Sequence, residues 1–583
     1  MKRILIIPLL LIAFALSAAP IGERKAREIA TTFFASNSTR SASPVLSLEW
    51  AGKELSGKTI VKSSAANQDE AMLYIYNRTD AQGFVVVAGD DNVEKPIVAF
   101  SHNNHLRIEN LSEGARYILS GWCKQIAAAR VATQIVTRAT DSAEVGTEEV
   151  LYSTALWNQG APFNNEAPVI NGERSVTGCV ATAMSIICYH NKWPEQGIGV
   201  TPAYEYTDNY GYRRSVPANS LGRVYNYDNM LSDYSNGYTE KQGAAVAALM
   251  KDMGTAVQMM YHPESSGAFD MDVPIALMTY FGYSKSALLR YGDGYTYREW
   301  VKALKENIEA FGPTYFSGSN PTDGGHAFVL DGYTSKNYFH INYGWGGYDN
   351  GYYLLPKIEF AEGQMSLFYL TPDKTGTSTY KDNLLLLVVG DYQGLWSDAK
   401  EFVVNQPFQL KCGAIWNVGS TLFSGEVQVA LCDINGNIKE TLRKFNLSLD
   451  VMYYQYYYPF NATITTPIEE GDRIRIMYKG EYSDGWQWAK RESNAVDEIL
   501  VSFTPNDIAK MLNLRYDNKT KVLSVLPIYN ATYEVEDSSG ATVSSGSIAG
   551  GERVSILTSE NKSGEYTIYF RKDSSEYKLV VVL

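Results

Sequence analysis

The sequence predicts an α+β protein that closes in all-β domains. Three stretches carry this: an amphipathic helix followed by hairpin-forming strands near the start, an apolar helix opened by Gly178-Cys179 together with a glycine-led hairpin in the middle, and short alternating strands with Gly, Asn and Asp turns beyond about residue 375. At 583 residues the chain is too long for one core and reads as several domains. Its 64 acidic against 51 basic residues leave a net charge of −13, which argues against a general nucleic-acid or anionic-membrane binder. The 42 tyrosines suit a β-rich chain with broad aromatic surfaces.

From the N-terminus, Lys2 and Arg3, the apolar run Ile4–Leu16 and the small residues Ser17, Ala18 and Ala19 read as a secretory signal peptide over 1–19. The run is short for a membrane span, so the expectation is an exported protein with no transmembrane segment. Residues 20–140 form the next unit. Ile21–Phe34 places Ile21, Ala26, Ile29, Ala30 and Phe33 on one helix face. Leu73–Asn77 and Gly83–Ala88 read as a hairpin, Ile97–Phe100 as a further strand and Glu113–Ala132 as a helix. Thr133–Val150 reads as a linker and is where an activating cleavage would fall.

The unit at 141–375 carries the candidate chemistry. In Ser175-Val-Thr-Gly-Cys-Val-Ala-Thr-Ala-Met184 the apolar residues after Cys179 suit a buried helix, so the sulfur sits in its first turn. Unpaired N–H groups and the positive end of the helix dipole favour a thiolate there. Gly178 leaves room beside the sulfur for a substrate backbone. A lone cysteine in an apolar helix is ordinarily a small buried hydrophobe, so the assignment rests on partners elsewhere. Gln159, in Trp157-Asn-Gln-Gly-Ala-Pro-Phe-Asn164, is a candidate oxyanion donor with the Cys179 N–H. Thr239 and Gln242 fit a capping box for a helix that Gly254 stops.

A base is sought among six histidines. His102 and His105 lie in the N-terminal unit, and His190 stands about 16 Å up the helix from Cys179 at 1.5 Å per residue. His262 lies in a polar loop and reads as solvated. His326 differs: Gly324 and Gly325 give access ahead of it and an alternating strand follows. A turn at Thr334–Asn337 then sends Tyr338–Gly347 back beside that strand, bringing residues 342–345 near His326 and making Asn342 the candidate orienter of the imidazole. Asp331, the rival orienter, should face the other way on a period-two strand, and His340, the rival base, lacks the preceding glycines.

Trp157–Asn164, Thr177–Met184 with Tyr189–Pro194, Gly324–Gly332 and Asn342–Gly347 together resemble the streptopain family of papain-like cysteine peptidases. Tyr74–Asn77, Gly83–Asp91 and Pro96–Ser101 resemble that family's inhibitory propeptide, and Leu249–Gly254 with Ser265–Ala268 its catalytic domain. The resemblance implies a two-lobed papain-like domain at 141–375 behind an α+β propeptide. It implies a zymogen cleaving peptide bonds of extracellular proteins, with its own propeptide as intramolecular inhibitor. Cys179 takes the nucleophile's place, His326 the base's, Asn342 the orienter's and Gln159 the oxyanion donor's. Gly178, Gly324, Gly325 and Trp345 would line the substrate site. No metal and no cofactor are implied, and an apolar residue two places before the cleaved bond is favoured. Tyr343 departs from the family's tryptophan after the asparagine, yet can still shield the imidazole.

Beyond residue 375 a β-sandwich over 376–503 and a smaller β-domain over 504–583 are expected. The last eighty residues loosely resemble bacterial sorting domains, which would allow cell-surface attachment. Tyr453–Tyr458 reads as a strand with rings alternately buried and exposed. Cys412 and Cys432 could form a bridge or stay as two buried thiols. The rival functions are a surface adhesin or binding protein with an inert papain-like unit and a thiol acyltransferase. Intact Cys179, His326, Asn342 and Gln159 argue against the first, and an asparagine where acyltransferases commonly carry aspartate argues against the second.

Overall fold

The computed structural model describes residues 20–36, 43–55, 71–131 apart from 92 and 94, 144–320, 324–357, 361, 363–388 and most of 394–582. The expected signal peptide and most of the expected linker lie outside the described residues. Six helices are described: α1 (Glu23–Ser36), α2 (Glu113–Val131), α3 (Cys179–Asn191), α4 (Glu240–Ala256), α5 (Asp272–Phe281) and α6 (Tyr297–Phe311).

An eleven-stranded sheet among the described residues runs Leu46–Gly52, Leu73–Arg78, Phe84–Ala88, Ile97–Ser101, Gly351–Tyr353, Phe339–Asn342, Gly324–Thr334, Thr314–Asn320, Met365–Phe368 and Leu288–Tyr291, with Glu148–Leu151 joined to Gly324–Thr334. The expected hairpin is present, with Ile75 opposite Val86. The N-terminal unit is not a separate body. Ile97–Ser101 pairs with Gly351–Tyr353, placing Phe100 opposite Tyr352, and one hydrophobic core holds Phe33, Val86, Ile118, Trp300, Phe316 and Tyr343 together. The reason is in the strand: all five residues of Ile97–Ser101 are buried, and such an edge needs covering. Glu148–Val150, read as linker, forms a strand with Gly332–Thr334. Backbone pairing does not require apolar side chains, so its composition concealed it.

A second core surrounds α3, in which every side chain from Val180 to Cys188 is buried. It joins Met250 and Met253 of α4 and Leu277 of α5 to Tyr315, Ala327 and Val329 of the sheet. The Thr239–Gln242 capping box forms as expected. Gly254 does not stop α4, which continues to Ala256; a Cβ at 254 would lie 2.2 Å from the Tyr261 hydroxyl, so the glycine serves close packing.

The C-terminal third is β-structure around two further cores, one including Leu386, Ile415, Val429 and Ile476, the other Val535, Ile556 and Phe570. Cys412 and Cys432 are free buried thiols, and their strands belong to different sheets. Tyr454–Tyr456 is an edge strand whose three residues are all exposed, so the expected alternation is absent there. Among the described residues the strand pairs on one side only, with Ala414–Trp416.

Candidate active site

Three loops converge on the start of α3. The Thr177 N–H donates to the Gln159 carbonyl at 3.1 Å, Asn164 Nδ2 to the Ser175 carbonyl at 2.9 Å, and Ser266 Oγ to the Val176 carbonyl at 2.7 Å. Gly178 caps the helix at φ +83° and ψ 144°, a region that L side chains rarely adopt and that costs them roughly 1–3 kcal/mol. A Cβ there would also lie 2.6 Å from Met259 Sδ and 3.0 Å from the Ser266 carbonyl. The glycine therefore faces inward, and the expectation that it makes room for substrate is corrected: its role is to turn the chain so that the next residue, Cys179, enters the cleft. Cys179 is half-buried, whereas the other cysteines are buried.

A cleft of about 290 Å³ is lined by Gln159, Cys179, Gly325, His326, Trp345 and, from the N-terminal unit, Glu113. The sequence-derived candidates are thus gathered in one place except for Gly178, Gly324 and Asn342, which do not line it. Gly324, at φ +80° with open space around it, turns the chain into the strand carrying His326. Gly325 alone of that pair borders the cleft. Trp345 meets the His326 ring edge-on at 6.3 Å.

His326 is 3% exposed, and its Nε2 faces the Tyr343 carbonyl at 3.4 Å. Nδ1 has no partner at ordinary hydrogen-bond length, with Glu113 Oε2 at 3.6 Å. Burial by itself would lower the imidazole, but negative charge on Cys179 and then on Glu113 outweighs it and raises the group to about 10. The site therefore favours the protonated imidazole.

The expected hydrogen bond from Asn342 to His326 is not formed. Strand register puts Asn342 opposite Val329, three residues from His326. Its amide donates to Thr154 Oγ1 and to the Ala155 carbonyl, each at 2.9 Å, and its Oδ1 accepts from the Gly344 N–H at 3.1 Å. Asp331 faces the other way, as expected from its parity, and pairs with His340 Nδ1 and Thr154 Oγ1. His340 is thereby part of a structural pair and not of the cleft.

Sequence reasoning missed two groups. Glu113 opens α2, and the following Gly114 allows the helix to press on the site: a Cβ at 114 would lie 2.7 Å from His326 Cδ2 and 2.6 Å from Tyr343 Cδ1. A glycine directly after the acidic residue that opens the helix was the available signal. His262, expected to be solvated, is 2% exposed; its Nδ1 accepts from the Glu264 N–H at 3.1 Å and its carbonyl from the Val176 N–H. The polar sequence around it makes a self-bonded loop that walls the cleft, and Tyr210 packs on its ring at 4.5 Å.

Residues 157–353 match the Peptidase C10 family, and residues 18–126 match the Spi protease inhibitor family. A thiol protease/hemagglutinin, PrtT, of Porphyromonas gingivalis is 30% identical over 362 residues, which are 60% of this chain and 40% of that protein. The chain therefore spans well under half of that relative's length. Streptopain of Streptococcus pyogenes is 29% identical over 302 residues, covering 49% of this chain and 74% of that protein. The solved prointerpain A fragment of Prevotella intermedia is 26% identical, covers 57% of this chain and 99% of its own, and superposes with a TM-score of 0.44.

Proposed function

On the match of residues 157–353 to the Peptidase C10 family behind a Spi-type inhibitor region, we propose that the chain is a streptopain-like cysteine peptidase, an exported endopeptidase made as a zymogen. The observation that carries the reading is the shared cleft in which Cys179, at the head of α3, faces a buried His326 raised to about 10. Cys179 attacks the peptide carbonyl as a thiolate, forming an acyl-enzyme. The Gln159 amide and the Cys179 N–H hold the oxyanion. Imidazolium His326 gives its proton to the departing amine, then takes one from the water that hydrolyses the thioester.

Asn342 acts as a positioning residue. Its bonds to Thr154, Ala155 and Gly344 fix the strand end that aims the Tyr343 carbonyl at the imidazole. Met260, Ala268 and Phe269 along the cleft suit an apolar substrate side chain. The N-terminal domain inhibits by setting Glu113 beside His326 and the Gly114 backbone against its ring. Release follows cleavage within 133–147, because Glu148–Leu151 is already paired into the catalytic sheet.

The direct test is hydrolysis of a fluorogenic peptide with an apolar residue two places before the scissile bond, with and without prior alkylation. Activity abolished by one alkyl group mapped to Cys179 supports the reading. Activity that survives complete alkylation of Cys179 refutes it.

A further inference from the structure

A second cleft, of about 300 Å³, lies between the peptidase domain and the first β-domain. The two are docked around Leu289, Tyr291, Leu385 and Val418, with Arg491 Nε donating to the Asp293 carbonyl at 2.9 Å and Asn383 Nδ2 to the Leu289 carbonyl at 3.3 Å. The volume is at the lower end for a small-molecule site, and such sites favour domain junctions.

Its lining is cationic, aromatic and hydroxyl-rich. Arg290 lies over the rings of Phe368 and Tyr369 at 4.6 and 5.0 Å and donates to the Tyr369 hydroxyl. Lys490 lies 4.0 Å above Tyr295 and donates to the Gly294 carbonyl at 3.0 Å. Among the described residues neither cation has a carboxylate within ion-pair distance, unlike Lys381 at the rim, which meets Asp484 at 3.0 Å. Burial, only partly countered by Glu299 and Asp497, lowers the Lys490 ammonium, and the Arg475 and Arg290 guanidiniums push the same way. Two half-buried cations that repel one another, without a direct ion pair and only partly offset by the nearby carboxylates, favour an anion placed between them.

The same cleft offers acceptors and amides. Asp382, 9% exposed, receives the Tyr482 N–H and the Ser483 hydroxyl on Oδ2, while its Oδ1 is buried without a partner. Gln487, Asn383 and the Tyr482 and Trp488 rings complete the wall. A bare inorganic anion would leave these groups idle. A ligand with a carboxylate, several hydroxyls and an apolar ring face would use all of them. We propose that this interdomain cleft binds an acidic sugar, with its carboxylate between Arg290 and Lys490 and its hydroxyls on Asp382, Asn383 and Gln487.

The test is calorimetric titration of the full chain carrying Cys179→Ala, so that self-cleavage cannot intervene. The probes are glucuronic acid, N-acetylneuraminic acid, glucose and acetate. Expected is binding of at least one acidic sugar about tenfold or more tighter than glucose and acetate. Arg290→Gln and Lys490→Met should each weaken it about tenfold or more while the melting temperature stays unchanged; the methionine keeps the stem over Tyr295. If one variant fails to fold, the other decides. The methyl glycoside of the binding acid separates the two sources: equal affinity identifies the end of a glycan, and loss identifies the free monosaccharide. Equal binding of acetate, equal binding of glucose, no binding of either acid, or indifference to both substitutions would each overturn the proposal.

Discussion

His326 takes its charge state from two domains, since burial alone would lower it and the negative charges of Cys179 and Glu113 raise it to about 10. The raised group contributes stability that is complete below the ordinary histidine value of about 6.5 and disappears as pH climbs through about 10. In the Cys179→Ala protein the largest raising influence is gone while burial remains, so a histidine-selective NMR titration should find the His326 midpoint well below about 10. Glu113→Gln should move it down by less, because Glu113 is the smaller of the two influences. His340 is likewise raised, burial being outweighed by Asp331. The stability advantage of wild type over His340→Gln should therefore be full at mildly acid pH and fade as pH rises through the raised value, as denaturant melts would read. Asn342→Ala is expected to lower kcat with little change in KM and to shift the alkaline limb of the pH profile, since it lets the Tyr343 carbonyl wander from the imidazole. At this scale the placing of Cys179, His326, Gln159 and Trp345 in one cleft was legible, because glycines and a helix start frame them. The asparagine's partners were not, because a bulge between Leu330 and Gly332 sets the register.

At the scale of elements, α2 is the part that both completes a core and blocks a site. Gly114 and Gly318 let it close on the sheet: a Cβ at 318 would lie 2.3 Å from the Tyr117 ring, and Tyr117 itself donates to the Ala361 carbonyl at 2.8 Å. Gly114→Ala should then cost about 1–3 kcal/mol of overpacking at the contact with His326 and Tyr343. Propeptide release, followed by gel or mass, should be faster than in wild type; an unchanged rate would show that the α2 contact does not hold the zymogen. The α4 cap makes a simpler case, with Thr239→Ala expected to cost about 1 kcal/mol in a thermal melt and to leave the cleft unaltered. The helices α1 to α4 were legible from periodicity and, for α4, from its cap, whereas α5 and α6 were not anticipated. The Glu148–Leu151 strand was not legible, since two of its four side chains are glutamates and Leu151 is exposed, leaving Val150 alone to pack against the core.

At the scale of the molecule, one sheet joins the N-terminal unit to the domain that holds the cleft. The N-terminal strands extend the sheet of the cleft domain through the Phe100–Tyr352 pairing, so the N-terminal unit and the domain that follows share one sheet and one core. That continuity could not be read from the sequence, because which apolar strand edge meets which is decided by the folded chain and not by local pattern. No helix among the described residues is long and apolar enough to cross a membrane. The central claim is that Cys179 and His326 form a working pair restrained by the N-terminal domain. Its most direct test is the intact mass of the purified chain lacking residues 1–19, followed over hours under reducing conditions beside Cys179→Ala. The account predicts loss of an N-terminal fragment ending within 133–147 in the wild type alone. An identical fragment lost from both proteins, or a wild-type protein whose N-terminal domain is removed by another protease and which still cleaves no peptide, would contradict it.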